Sequence, residues 1–220
     1  MKRTYIDLSH TIENGLVTYK GLPAPIICDY LSREESRQHY EPGTEFQIGK
    51  IEMVSNTGTY VDVPFHRYVK GKDLSETAIP KMAGLEGIVI YIDSSVKAID
   101  ADSFYHLDLK EKAVLVHTGW DNYWNTERYF ENHPYLTEKA AQYLVSQNVA
   151  LVGIDSVNID DTSGKARPVH TTLLGEEIPI VEHLCHLNQL SKPFRFYAVP
   201  PKLKGVGTFP VRAFAEIVEA

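Results

Sequence analysis

Three short apolar runs constrain the fold of this chain more than any other feature. Residues 87–93, 114–117 and 150–154 are nearly continuous runs of β-branched and aliphatic side chains, a pattern typical of strands that are buried on both faces of a sheet. Between the second and third runs, Thr137 is a suitable N-cap for a helix that ends near Ser146. The order strand, helix, strand indicates crossover connections. We therefore predict an α/β fold whose mixed sheet is parallel in at least one part.

Length and charge limit the function classes. A chain of 220 residues is long enough to bury a sizeable core, and residues 1–220 are expected to form a single domain. The formal net charge is −7, which opposes binding to nucleic acid or to an anionic membrane, because both carry charge of the same sign. The sequence therefore favours a small-molecule substrate.

The cysteine content and the hydropathy of the chain indicate the cellular compartment of the protein. Cys28 and Cys185 form neither a disulfide framework nor a Cys-x-x-Cys metal motif. The first residues reach a charged side chain before any apolar stretch develops, and no run approaches the roughly 18 apolar residues of a membrane span. We expect a cytoplasmic protein.

A polar segment, residues 55–66, concentrates the chemistry-bearing side chains. The preceding residues 46–54 predict a half-buried strand with a bulge near Gly49 or Lys50. Two interpretations of the segment are open from the residues alone: a surface turn whose side chains bond their own backbone, or a functional site. Its hydrogen-bonding or metal-competent groups are Asn56, Thr59, Tyr60, Asp62 and His66.

The polar segment resembles the His-x-Gly-Thr-His-x-Asp-x-Pro-x-His signature of the cyclase / kynurenine formamidase family of metal-dependent hydrolases. Asn56 and Tyr60 stand where the signature has histidines, so the copy is degenerate. The resemblance continues through residues 153–155, 170–174 and 182–184 and into the tail at 200–213. It implies a cyclase-like fold, a mixed sheet with flanking helices and a β-barrel-like element, in a homodimer or higher homo-oligomer. The residues in register are Gly58, Thr59, Asp62, Pro64 and His66.

The resemblance also implies a metal site. Asp62, His170 and Glu182 would hold a divalent metal, zinc or manganese, and His66 would be the catalytic base. Because an Asn carbonyl and a Tyr phenol are poor replacements for imidazoles, we expect one ion or fewer per chain. The alternative is structural: Asp62 and His66 cap turns, and His170 bonds Glu182.

Other candidate groups fit structural roles. His10, His183 and His186 are interpreted as structural histidines. The chain has no Gly-x-Ser-x-Gly elbow, and Gly205-x-Gly207 is not followed by a helix, as a dinucleotide site requires. Five aromatic residues could line an aryl pocket, or belong to the core or a subunit interface: Trp120, Tyr123, Trp124, Tyr129 and Phe130.

The sequence thus favours an arylformamidase-like hydrolase of a kind used in tryptophan catabolism, which cleaves an amide, formamide or cyclic amide or lactone bond in a small acid. One alternative is a vestigial, metal-poor small-molecule-binding protein of the same fold. Another is an enzyme of changed chemistry in which the Tyr60 phenol is the acid or base.

Overall fold

A computed structural model describes residues 3–218. Thirteen strands are assigned in these residues: β1 (Thr4–Asp7), β2 (Ile26–Leu31), β3 (Ile48–Glu52), β4 (Tyr60–Asp62), β5 (Ala83–Tyr91), β6 (Ala98–Ile99), β7 (Ala113–His117), β8 (Tyr135–Leu136), β9 (Leu151–Ile154), β10 (Ile180–Glu182), β11 (Phe194–Tyr197), β12 (Thr208–Pro210) and β13 (Phe214–Ile217). The α-helices are α1 (Arg33–Ser36), α2 (Glu138–Ser146) and α3 (Pro168–Gly175).

Nine strands form one mixed sheet in the order β1-β13-β11-β5-β7-β9-β10-β4-β12. The central strands β5, β7, β9 and β10 are parallel, and the outer strands pair antiparallel. The three predicted apolar runs are the centre of this sheet, so the predicted mixed sheet is confirmed. The sheet is curled into a half-barrel, with few helices beside it.

Side chains that alternate along the central strands contribute to two separate cores, one on each face of the sheet. Val114 and Val116 pack with α2 and α3 on one face. Ala113 and Leu115 point to the opposite face, where they pack with Val61 from β4 inside the curl of the sheet. Successive side chains of a strand point to opposite faces, so a strand buried on both faces has no polar alternation.

The predicted helix with Thr137 as N-cap is confirmed. The Thr137 hydroxyl accepts a hydrogen bond from Ala140 N at 3.1 Å and donates one to Asp100 Oδ1 at 2.7 Å. This second bond ties the helix to the turn that precedes β7.

The prediction for residues 46–54 is wrong in part. β3 is shorter than predicted, and all five of its residues are exposed. The reason is that β3 pairs with β2 alone, in a separate two-stranded sheet. The irregularity lies in β2, between Asp29 and Leu31, opposite Gly49 and Ile48.

In residues 3–218, no helix is long and apolar enough to cross a membrane.

Candidate metal-binding and catalytic site

Most of the polar segment, residues 57–64, is buried rather than in a surface turn, and His66 at its end is exposed. Gly58 has a φ of +65°, and a Cβ there would lie 2.6 Å from Ile12 Cγ1, so only glycine fits. The side chains of the segment bond distant parts of the chain: Thr59 Oγ1 donates to the carbonyl of His183 at 2.6 Å, and Gly58 N donates to Thr18 Oγ1 at 2.7 Å. The segment is therefore held in one place from both sides.

Strand pairing places the site residues opposite one another. β4 lies between β10 and β12, with Tyr60 opposite Glu182 and Asp62 opposite Thr208. Tyr60 and Asp62 are two residues apart and share a face of the sheet, while Val61 points into the core. Register thus brings together residues far apart in sequence.

Asp62 is fully buried and incompletely bonded. Its Oδ1 accepts a hydrogen bond from Thr208 Oγ1, but its Oδ2 has no hydrogen-bond partner among the described residues. His170 Nε2 lies 3.6 Å from that Oδ2. An unpaired buried carboxylate oxygen is costly, and a cation beside it would remove the cost.

His170 is oriented by Asp160. His170 lies in the first turn of α3, where Asp160 accepts hydrogen bonds from Val169 N at 2.8 Å and His170 N at 3.0 Å. The same carboxylate is 2.6 Å from His170 Nδ1. An imidazole held at Nδ1 presents Nε2 to the site, which is how metal-ligating histidines are usually supported. Asp160 was not singled out in the sequence, because it lies in an irregular polar stretch with no periodic signal.

Glu182 is buried and bonded at both oxygens. Oε1 accepts from Ile159 N at 2.6 Å, and Oε2 accepts from the Tyr60 hydroxyl at 2.6 Å and from Asn158 Nδ2 at 3.4 Å. Oε1 also lies 3.6 Å from His170 Nε2. Tyr60, one of the two departures from the signature, therefore holds the carboxylate that the resemblance assigns to the metal.

Burial and charge pairing perturb two of these groups. Burial lowers the pKa of His170, but the hydrogen bond to Asp160 and the nearby carboxylates of Asp62 and Glu182 outweigh it and raise that pKa to about 10. Burial raises the pKa of Glu182 to about 7, against the opposing effect of His170. The metal-free site therefore retains protons at neutral pH that a cation would displace.

Asp62, His66 and His170 can hold one divalent metal ion, since each offers a ligand atom within 4.8 Å of the others. Two imidazoles and a carboxylate are an ordinary ligand set for such an ion. The expected set of Asp62, His170 and Glu182 shares two members with this cluster. It differs in that His66 is close enough to bind and Glu182 carries hydrogen bonds of its own. The residues present therefore fit a single divalent metal ion.

His66 has a defined hydrogen bond. Its Nδ1 lies 2.7 Å from Thr208 Oγ1. Because the single hydroxyl proton of Thr208 is donated to Asp62, Thr208 accepts from His66 Nδ1–H. In a neutral imidazole with this tautomer, Nε2 of His66 is the acceptor. Thr208 was also missed in the sequence, where it was recognised only as part of the matching tail.

His66, His170 and Glu182 line a cavity of about 380 Å³. The loop between β1 and β2 contributes Tyr19, Lys20, Gly21 and Leu22. The remaining lining residues are Asn56, Tyr60, His66, Asn158, His170 and Glu182.

The aromatic residues predicted as an alternative aryl lining lie elsewhere. None of the five is among the residues that line the cavity, all of which belong to the described part of the chain. Trp124 stacks on His10 with ring centroids 3.9 Å apart, and the Tyr129 hydroxyl lies 2.8 Å from His183 Nδ1. The ring of Tyr60 also packs against His183, with ring centroids 5.1 Å apart.

Comparison with known proteins identifies the family of this chain. The family model described as "Putative cyclase" matches residues 6–161. Kynurenine formamidases from Geobacillus thermodenitrificans and Bacillus cereus are 28% and 27% identical to this chain, over 97% and 95% of both chains in each pair. A structure described as a potential metal-dependent hydrolase with cyclase activity superposes with a TM-score of 0.80 over 100% of both chains, at 23% identity. Isatin hydrolase A from Labrenzia aggregata superposes with a TM-score of 0.83, covering 99% of this chain and 94% of its own, at 19% identity. The resemblance drawn from the polar segment is confirmed: the chain belongs to the cyclase family.

Proposed function

We propose that this protein is a metal-dependent hydrolase that cleaves an amide, formamide or cyclic amide or lactone bond in a small acid. One observation carries the proposal: the unpartnered Oδ2 of Asp62 and the Nε2 of His170 lie 3.6 Å apart, beside the cavity. The kynurenine formamidase relatives and the isatin hydrolase fold support a hydrolase of C–N bonds other than peptide bonds.

Asp62, His170 and Glu182 are proposed to hold the ion, zinc or manganese, at one ion or fewer per chain. When bound, such an ion polarises a carbonyl and lowers the pKa of water. Asp160 fixes the orientation of His170, and the Tyr60 hydroxyl fixes that of Glu182. The protein's own side chains thus hold the ligands in place before the substrate arrives.

His66 is proposed to be the base. Since Thr208 accepts from Nδ1–H, the Nε2 atom can take a proton in the cavity and return it to the leaving nitrogen. The alternative is that the same nitrogen binds the ion, as the cluster of Asp62, His66 and His170 allows.

His66→Ala separates these roles. If His66 is the base, the variant should keep its bound ion, and its rate of formanilide hydrolysis should fall about a hundredfold or more. If His66 is a ligand, the ion content and the activity should fall together. Elemental analysis of the assayed samples measures the ion content. His39→Ala, at an exposed histidine away from the cavity, is the matched control. Wild-type protein that binds no ion and hydrolyses no amide would refute the proposed function.

A vestigial binding protein remains the second candidate, because the Tyr60 hydroxyl satisfies Glu182 without a metal. It predicts that the purified protein binds a small carboxylate while free of metal. A Tyr60-dependent chemistry is the third, and predicts that Tyr60→Phe abolishes activity while the ion content is unchanged.

We also propose a homo-oligomer assembled through the two-stranded sheet of β2 and β3. Ile26, Tyr30 and Ile51 are 53%, 76% and 61% exposed on this isolated pair of strands, and a two-stranded sheet without a covering layer is marginally stable. Tyr30→Ser with Ile51→Ser should shift the mass measured by light scattering towards the monomer. An unchanged mass would place the interface elsewhere.

A further inference from the structure

We propose that Lys20 binds a carboxylate of the substrate remote from the bond that is cleaved, so that the site selects acids over neutral amides. The inference deepens the proposed function and rests on it. Lys20 belongs to the loop between β1 and β2 and lines the same cavity as His170 and Glu182.

The charges around the cavity make this cation distinctive. Among the ten lining residues, all in the described part of the chain, Lys20 is the single lysine or arginine. Glu182 lines the cavity, and the carboxylates of Asp62 and Asp160 are buried beside His170. His170, and the proposed ion when bound, would offset part of this negative charge at the reacting end of the cavity, whereas Lys20 lies on the loop; the whole chain is acidic as well. A fixed positive group at the loop is what allows an acid to bind in one orientation.

The present partner of Lys20 is exchangeable. Its Nζ lies 2.6 Å from Glu127 Oε2, but the Lys20 and Glu127 side chains are 52% and 84% exposed. Ion pairs this exposed contribute little, since solvent and salt screen them. Glu127 is itself a carboxylate, so a substrate carboxylate can take its place on Nζ with the same chemistry.

The position of the ammonium group is restrained by an aromatic ring. Lys20 Nζ lies 5.2 Å from the centroid of the Phe130 ring, within the range of a cation–π contact. Phe130 and Glu127 belong to one 3₁₀ turn, Glu127–Phe130. This turn therefore restrains Nζ through Phe130 even after Glu127 is displaced.

The cavity suits a small aromatic acid. A volume of about 380 Å³ lies at the small end of ligand sites. Tyr19, Leu22 and Tyr60 offer ring and aliphatic surface for the body of the substrate. The substrate class we infer is a formamido- or acylamido-substituted aromatic carboxylate.

The test compares acids with a neutral substrate of the same body. Formanilide is neutral, and the 2-, 3- and 4-formamidobenzoates add one carboxylate at different positions on the ring. Lys20→Met keeps the length of the stem and removes the charge. We expect it to lower kcat/KM for the best isomer about tenfold relative to formanilide, mainly through KM, because a hydrogen bond to a charged group is lost.

Two further variants sharpen the result. Lys20→Arg keeps the charge and should restore most of the preference for the acid. Glu127→Gln frees the ammonium group and should raise the preference, with a lower KM for the acid. Lys139→Met, at an exposed lysine of α2 that does not line the cavity, is the matched control and should leave the ratio as in wild type.

The outcomes separate the two proposals. An equal effect of Lys20→Met on all four substrates, or no effect, overturns the role of Lys20. If wild-type protein hydrolyses none of them, binding of anthranilate is measured by calorimetry. Binding that Lys20→Met abolishes then supports Lys20 as the anion site while the hydrolase proposal fails, and binding that is unchanged in Lys20→Met overturns the role of Lys20.

Discussion

Metal binding to this site should release protons. In the metal-free protein the pKa of His170 is raised to about 10 and that of Glu182 to about 7. At pH 7 His170 therefore carries nearly one full titratable proton, and Glu182 is partly protonated. If both bind the ion, more than one proton leaves at pH 7; if Glu182 stays outside the coordination shell, about one leaves.

The magnitude follows from His170 alone. A proton bound with a pKa of about 10 competes with the ion and weakens binding about 10³-fold at pH 7. Apparent affinity for zinc or manganese should therefore rise about tenfold for each pH unit between 7 and 9.

Calorimetry provides the assay. Zinc is titrated into chelator-treated protein at pH 7 in two buffers of different ionisation enthalpy, and the difference in heat gives the number of protons released. His39→Ala serves as the control histidine. Affinity that is flat between pH 7 and 9, with no proton release, would refute the combination of a raised pKa of His170 and its role as a ligand.

The same values predict how metal-free stability depends on pH. His170 has a folded-state pKa above its ordinary 6.5, so its stabilising contribution is complete below 6.5 and is lost as pH rises towards 10. Glu182 has a folded-state pKa above its ordinary 4.5, so the folded state keeps a proton that the unfolded chain releases, and stability falls from 4.5 to about 7. Both effects lower the stability of the metal-free protein as pH rises, which urea denaturation from pH 5 to 9 can measure.

Three variants test the site further. Tyr60→Phe removes the hydroxyl that bonds Glu182 Oε2 and should destabilise the metal-free protein by about 1.5–3 kcal/mol in urea denaturation; a change below about 0.5 kcal/mol would mean that water replaces the hydroxyl. Asn56→His with Tyr60→His should add two nitrogen ligands, tighten zinc binding in a chelator competition and raise formanilide hydrolysis; unchanged zinc content and turnover would contradict the alignment with the signature. Gly207→Ala should lower both the melting temperature and activity, because its Cβ would lie 2.2 Å from the backbone N of His66; a variant as stable and active as wild type would show that this contact is not tight.

Much of the fold was determined by local patterns. The parallel centre of the sheet follows from the three apolar runs, because strands buried on both faces need side chains that are apolar at every position. The helix after Thr137 follows from its cap and apolar stripe, both of which act within a few residues. The polar segment could be recognised because a dense set of polar side chains beside Gly58 and Pro64 is a local feature.

The two-stranded sheet of β2 and β3 shows the limit of such patterns. Alternating apolar residues in 46–54 predict a half-buried strand, yet all of β3 is exposed. A pattern in sequence states which residues could face a core; whether a layer covers them depends on contacts with distant parts of the chain, or with another chain.

The site was decided only by tertiary structure. Asp62, His170 and Glu182 were predicted from the resemblance, but Asp160 and Thr208, which orient His170 and His66, have no local signal. The role of Thr208 comes from the pairing of β12 with β4, which places it beside Asp62, 146 residues earlier in the chain. Asp160 reaches His170 from irregular chain that only the completed fold positions. Hydrogen-bond geometry depends on register and on how far each side chain reaches, and the sequence specifies both only through the completed fold.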